Sequence, residues 1–356
     1  MKKVSIGIIG TGFTVGIANN HVQGLKLIPE CELTALYDIV PGRAAKWHKI
    51  KEVDENVKTY DDIDEFFNAV DAVSICTQND AHIELAEKCL AAGKHVIVEK
   101  PLSNTLDEAK KALEFSKKYP HLVSMVVFNY REKPGTLLIK DLVDEGKLGK
   151  IFYFRYTIGQ PRIGDAERVK LEWRMQKGLS GAGAMADFGC HALDAFHFIV
   201  GSKINNVGCY RETFIKERYE MDSDTKKDVT NDDVSVFIAR SEAGTLCTIQ
   251  TSRLGVPEES LDISAEGGTV NYVHGDDFIT VRYKPFNGTF TSTPEKIMIN
   301  EKYNNLPGHA GVLDEFVKCI VNGTKPQRSI EHGVYIQQLL HALEQSADDN
   351  TFVEVV

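Results

Sequence analysis

The sequence predicts a parallel α/β domain over residues 1–128, followed by an α+β domain on a mostly antiparallel sheet over residues 129–356. Three observations carry this. Up to about residue 128, short apolar runs alternate with amphipathic stretches, as strands buried on both faces of a parallel sheet do. Beyond it, strand-like runs follow one another directly, which favours antiparallel pairing. The length of 356 residues also suits two domains of roughly 100–200 residues each.

Residues 4–9 (VSIGII) form an apolar run ending at glycine, a buried strand. A helical stretch over 16–28 leads to a second strand over 32–37, closed by Asp38. Pro41-Gly42 opens a helix reaching residue 51, and a short one covers 63–69. Residues 72–76 (AVSIC) are the third apolar run, and the amphipathic helix over 81–92 stops at Gly93. A strand over 95–98, a helix over 106–119 and a strand over 123–128 complete the domain. In the second half, strands are expected over 151–158, 234–239, 244–251, 261–265 and 278–283. Asn287-Gly288 marks a hairpin turn. Helices near 134–145, 190–200, 310–321 and 331–346 would cover one face. The most polar stretch, 222–233, reads as a loop.

Composition narrows the function. Apolar residues make up 42% and charged residues 26%, which excludes wholesale disorder. Lys and Arg total 41 against 51 Asp and Glu, a net charge of −10. No bulk positive field is available for nucleic acid. The seven cysteines form no C-x-x-C and no zinc-ligand spacing, so they read as buried free thiols and no metal site is expected. Lys2-Lys3 precede an uncharged stretch, but Gly7, Gly10, Gly12 and Gly16 within it suit a strand and loop better than a signal peptide. No run of 18 apolar residues occurs, so no membrane span is expected. The cytoplasm is the expected compartment, and the two N-G-T sequons, at Asn287 and Asn322, read as turns.

The first strand runs into Gly10-Thr-Gly12-Phe13-Thr14-Val-Gly16, a G-x-G-x-x-x-G loop one residue longer than the usual dinucleotide fingerprint. The first glycine permits a tight turn and the second a close approach to a pyrophosphate, which the following helix N-terminus would bind. Asp38 lies 22 residues beyond Gly16, near the spacing of a ribose-binding carboxylate. A carboxylate there favours NAD and repels a 2′-phosphate. Arg43, able to pair with that phosphate, is the feature that would favour NADP.

Further motifs follow the strands: Thr77-Gln-Asn79-Asp-Ala-His82, Glu99-Lys100-Pro101, Trp173-Arg174, and a glycine-rich segment carrying Asp187, Gly189, His191 and Asp194. With AGKHVIVEKP and D-x-G-x-H-x-x-D in place, the chain resembles the glucose–fructose oxidoreductase, inositol dehydrogenase and rhizopine-catabolism (Gfo/Idh/MocA) family, essentially end to end. The resemblance implies a Rossmann domain and a second domain on a large open sheet that often mediates homodimers or homotetramers. Two departures stand out: Gln78 replaces a common proline, and the glycine loop is long.

Hydride transfer from an alcohol carbon needs a base for the hydroxyl proton and positive charge near the developing alkoxide. The resemblance makes Lys100 the lysine beside nicotinamide and substrate. It also implies His191 as the general base with Asp187 as its partner, four residues away and on one face if helical. Asp194 would bind substrate hydroxyls or serve as a structural acid. Trp173 and Arg174 would wall the substrate site, or pack as an apolar ring under a long arginine. Asn129 and Arg131 follow the fifth strand and are further substrate candidates. Gly10, Gly12, Phe13, Thr14, Asp38, Arg43, Thr77, Asn79, His82, Glu99 and Lys100 are the cofactor candidates, and His309 has no assigned role. The expected function is an NAD-dependent dehydrogenase of a secondary alcohol in a sugar or cyclic polyol. An NADP-linked reductase of keto-sugars or dihydrodiols is the alternative enzyme. A non-catalytic dinucleotide sensor is the alternative of another class.

Overall fold

The structure is a computed structural model that describes residues 3–13, 16–165, 167–221, 223–285 and 293–355. The Asn287-Gly288 turn and Thr14 lie outside the described residues. The chain forms two compact units, Met1–Glu132 with Leu306–Gln337, and Lys133–Asn305 with Gln338–Val356. The first break falls four residues beyond the expected boundary, while residues 306–337, expected in the second domain, belong to the first unit.

The first unit carries strands β1 (Val4–Ile9), β2 (Cys31–Tyr37), β3 (Lys58–Tyr60), β4 (Ala72–Ile75), β5 (His95–Val98) and β6 (Ser124–Val126). They form one sheet in the order β3-β2-β1-β4-β5-β6, parallel throughout. Ile6, Ile8, Val73, Val96 and Ile97 are wholly buried, the reason these strands read as continuous apolar runs. The edge strand β3 is only Lys-Thr-Tyr and has no such run to announce it. Strand order reverses between β1 and β4, where α/β sheets open a ligand crevice at their carboxyl ends.

Helices α1 (Ile17–Leu25), α2 (Arg43–Ile50), α3 (Ile63–Asn68), α4 (His82–Ala91) and α5 (Leu106–Lys118) connect these strands. The Asp62 side chain accepts the Asp64 and Glu65 N–H groups at 2.9 Å to start α3, and Thr105 with Glu108 form a capping box on α5. Helix α9 (His309–Asn322) returns to this unit and puts Val312, Leu313, Phe316 and Val317 into the core of Ile6, Ile8, Val22 and Leu25. Gly24 makes the α1–α9 approach possible: a Cβ there would lie 3.0 Å from Leu313 Cδ1 and 3.2 Å from the Ala310 nitrogen.

The second unit holds β7 (Ile151–Gly159), β8 (Ile204–Glu212), β11 (Val234–Ser241), β12 (Leu246–Ser252), β13 (Glu258–Ala265), β14 (Gly268–Val273), β15 (Phe278–Tyr283), β16 (Glu295–Met298) and β17 (Val353–Glu354). These nine make one sheet, β16-β15-β14-β13-β7-β12-β11-β8-β17. Every pairing is antiparallel except β12 with β7, so the sheet is mixed. Helices α6 (Pro134–Asp144), α7 (Lys177–Ser180) and α8 (Cys190–Val200) belong to this unit. On the covered face Phe154 meets Phe196 of α8 edge-on at 5.3 Å, and Phe237, Ile249, Leu261 and Ile263 are buried. On the opposite face Tyr210, Val236, Ile238 and Leu246 are exposed. Helix α10 (Ile330–Asp349) begins in the first unit and ends in the second. The stretch read as a loop holds β10 (Lys226–Asp228), paired with β9 (Glu217–Tyr219).

All seven cysteines are buried free thiols. Two histidines, His21 and His82, are wholly buried, and burial pushes both below their usual 6.5. As pH falls through that value the unfolded chain takes up protons that the folded chain does not. Stability is therefore expected to fall between about pH 7.5 and about pH 5.5, by up to about 1.4 kcal/mol per pH unit for each site. Urea midpoints at the two pH values check this, and His82→Gln should flatten the slope. Equal midpoints would contradict it.

Candidate active site

The glycine loop sits at the carboxyl end of β1. Gly10 has φ +98°, and a Cβ there would meet the Cys76 backbone at 2.9 Å. Nothing lies within 4 Å of a Cβ built on Gly12, so this backbone is open to a ligand. Gly16 adopts φ +70° as the N-cap of α1, which has no side-chain cap among the described residues. The third glycine thus supplies a left-handed turn rather than close packing, and among the described residues no side chain accepts from the first-turn N–H groups of α1. Asp38 is buried. Its Oδ2 accepts the Thr11 N–H at 2.8 Å and the Thr11 hydroxyl at 2.9 Å, and Oδ1 accepts the Val40 N–H at 3.0 Å. Arg43 Nη1 is 3.4 Å from Asp38 Oδ1, so the arginine is engaged by the carboxylate it was expected to compete with. Phe13 is exposed, with Lys46 Nζ 5.7 Å from its ring centre. A bare glycine backbone, an uncapped helix start and an oriented carboxylate fit the pyrophosphate and ribose of a dinucleotide.

Thr77 is half-buried and Asn79 buried in the turn after β4. His82 is internal, its Nδ1 3.0 Å from the Pro101 carbonyl and its Nε2 3.3 Å from the Thr77 carbonyl. It braces the two turns from within. The Lys100-Pro101 bond is cis.

Glu99 is also internal. His21 Nε2 lies 2.9 Å and His309 Nε2 3.4 Å from its Oε1, and the Lys100 N–H donates to its Oε2 at 3.2 Å. Burial alone would push this carboxyl up, but the two imidazoles hold it well below the usual carboxylate range. Ser74 Oγ meets His21 Nδ1 at 2.7 Å, and Asn129 Nδ2 meets His309 Nδ1 at 3.3 Å. Glu99 therefore anchors the backbone of Lys100 from an internal position. His21, Glu99 and His309 are the one group among the described residues whose donor atoms, within 4.8 Å of one another, are close enough for a metal ion. Their partners lie far apart in sequence, so ligand spacing could not reveal them. Arg131 is buried against His332, Nη2 to Nε2 3.3 Å, an interior position at odds with an open substrate contact.

In the second unit Asp187 lies in a π-helical turn, Met185–Gly189, and His191 in the first turn of α8. The condition of a regular helix for this pair is not met, because a wide turn carries Asp187, a feature common at functional sites. Asp232 builds it. Its carboxylate accepts the Gly183 and Met185 N–H groups at 2.7 and 2.8 Å, and its carbonyl accepts the Ala184 N–H at 2.9 Å. A Cβ on Gly183 would stand 1.9 Å from that carbonyl oxygen, so only glycine fits. Asp187 is 24% exposed and 3.5 Å from Arg253 Nη2. His191 is nearly buried and Asp194 wholly buried; an enclosed carboxylate favours the structural alternative for Asp194. Trp173 and Arg174 are half-buried and stack, the guanidinium carbon 5.1 Å from the indole centre.

Sequence reasoning passed over Asn231, Asp232 and Arg253. Asn231 Nδ2 donates to the Arg174 carbonyl at 2.7 Å, and the Thr230 hydroxyl accepts the Lys177 N–H at 2.8 Å. The T-N-D-D run before β11 was the available signal, since side chains of this kind cap neighbouring backbone.

A carboxylate-gated glycine loop at the switch point of a parallel sheet defines a dinucleotide-binding oxidoreductase fold joined to an α+β unit. Residues 4–127 match the oxidoreductase family with NAD-binding Rossmann fold, and residues 136–271 match the GFO/IDH/MocA C-terminal domain. Levoglucosan dehydrogenase of Pseudarthrobacter phenanthrenivorans is 39% identical over 149 residues, 42% of this chain but only 37% of that protein. Myo-inositol 2-dehydrogenase of Thermotoga maritima is 25% identical over 98% of both chains. An oxidoreductase domain protein from Kribbella flavida superposes over 100% of both chains with a TM-score of 0.90 at 27% identity. The chain belongs to the GFO/IDH/MocA family and is an NAD-binding oxidoreductase.

Asp38→Ala is expected to weaken NAD⁺ binding by roughly tenfold or more, the loss of charge-assisted hydrogen bonds. It should also narrow the preference over NADP⁺, with Arg43 released. Calorimetry with both cofactors checks this; an unchanged Kd for NAD⁺ would exclude Asp38 from the ribose site.

Proposed function

We propose that the protein is an NAD-dependent dehydrogenase that oxidises a secondary alcohol of a sugar or cyclic polyol. The observation that carries the reading is the presence of Lys100 at the carboxyl end of the parallel sheet and of Asp187 with His191 where the π-helical turn enters α8. The relatives support the substrate class, because two of them are named for levoglucosan and myo-inositol.

Each residue has a defined task in this reading. NAD⁺, held by the glycine loop and Asp38, would supply the hydride acceptor. His191 takes the hydroxyl proton of the substrate, and Asp187 orients it. The Lys100 ammonium stabilises the developing alkoxide, its backbone held by Glu99. Trp173 offers an apolar face to the C–H side of a ring, and Arg174 a fork for hydroxyl oxygens. Thr77, Asn79, Gly10, Gly12 and Phe13 border the cofactor, and Asn129 enters through His309.

The test is nicotinamide absorbance with NAD⁺ across inositols, hexoses and anhydrosugars. His191→Ala and Lys100→Met are each expected to lower kcat by about 100-fold or more while NAD⁺ still binds. Turnover that survives both changes would remove these residues from the chemistry. NAD⁺ binding without turnover on any polyol would favour the sensor alternative.

We also propose that the open sheet face makes a homodimer or homotetramer. Tyr210, Val236 and Ile238 are exposed on adjacent strands, and contiguous apolar surface of this kind marks interfaces. Light scattering after gel filtration is expected to show an oligomer that Ile238→Lys dissociates. A wild-type monomer would refute this assembly.

A further inference from the structure

Arg253 follows β12 and is 3% exposed. Its N–H donates to the Asp233 carbonyl at 2.8 Å, which fixes its backbone. The guanidinium points two ways. Nη1 donates to the Arg174 carbonyl at 3.0 Å and to Asn231 Oδ1 at 3.3 Å, while Nη2 faces Asp187 Oδ2 at 3.5 Å. A buried cation requires a countercharge, and Asp187 supplies one. The Arg174 carbonyl also accepts from Asn231 Nδ2 at 2.7 Å and Ser180 Oγ at 3.1 Å. Three side-chain donors converge on one oxygen, so the backbone of the Trp173–Arg174 turn is pinned although its side chains are half-exposed.

We propose that Arg253 is a positioning residue that couples the Trp173–Arg174 turn to the Asp187 carboxylate. The guanidinium is planar and rigid, so its two edges move together. A ring polyol that settles on Trp173 and Arg174 loads one edge, and the other edge sets the angle at which Asp187 meets its imidazole. The coupling deepens the polyol-dehydrogenase reading and rests on it for the roles of Asp187 and Trp173. It also gives each edge its own signature: the Asp187 edge acts on kcat, and the Arg174 edge acts on KM.

The test uses the full chain, whose only tryptophans are Trp47 and Trp173. Trp47 is wholly buried, so acrylamide quenching reports Trp173. Arg253→Met removes both edges and Arg253→Lys keeps a charge for Asp187 without the second donor. In Arg253→Met, Trp173 quenching is expected to rise and kcat to fall roughly 10- to 100-fold, the weight of a charged hydrogen bond. In Arg253→Lys, kcat should recover to within a few-fold while KM stays raised by about tenfold. Asp187→Asn should also raise Trp173 quenching, because the coupling acts in both directions. A merely structural arginine would lower the melting temperature without separating kcat from KM. Wild-type quenching and wild-type kinetics in both Arg253 variants would overturn the proposal. If Arg253→Met fails to fold, Arg253→Lys decides by the same two readings. If the wild-type protein oxidises no polyol, the functional reading fails while the quenching results still decide the coupling.

Discussion

A buried carboxylate at the end of β5 is the constraint around which the first unit is arranged. Desolvating an ionised carboxyl costs several kcal/mol unless charge and hydrogen bonds replace the lost water. Around Glu99 the replacements come from the next residue, through the Lys100 N–H, and from two distant places in the chain, His21 on α1 and His309 at the start of α9. Satisfying one side chain therefore fixes where α1 begins, how the strand turns at Lys100 and where the returning helix docks. The apolar contacts of Phe316 and Leu313 with the sheet helices supply bulk stabilisation. They leave register open in a way that the polar cluster does not, because apolar packing is non-directional.

The second unit uses the same principle with main-chain partners. Arg218, 1% exposed, directs its guanidinium at the carbonyls of Ile163, Asp165 and Val169. Asp232 does the converse and collects N–H groups. Between them they hold an irregular segment that has only a small apolar core of Ile163, Met175 and Val229. Apolar burial alone would leave such a segment free to rearrange, because it is non-directional. Side chains bonded to its backbone give it a single conformation instead.

What was legible in the sequence follows from the range of each interaction. The strands of the first sheet announce themselves because both faces are buried, so Ile6, Val73 and Ile97 sit in unbroken apolar runs. The glycine loop and Asp38 were legible because a strand, a turn and a helix are neighbours in sequence. The edge strands Lys58–Tyr60 and Val353–Glu354 were not, being two or three residues long and partly solvated. The internal partners of His82, Glu99 and Arg131 were not legible for a different reason. Their partners, at Pro101, His309 and His332, become neighbours only through the tertiary fold. The π-helical turn at Asp187 escaped as well, since its cause is Asp232, some 45 residues downstream.

Residues 306–337 belong to the first unit although the chain reaches them only after most of the second. A ribosome releasing this chain presents all six strands of the parallel sheet early. The helix that carries Val312, Phe316 and Val317 into their core comes only after most of the second unit. Until then, the apolar face against which it packs is open, and Glu99 lacks one of its imidazoles. Synthesis at roughly 5–20 residues per second makes that interval long compared with helix formation. The nascent first unit is thus a natural client for chaperones, and a truncated transcript ending before α9 would yield a sticky fragment rather than a smaller working domain.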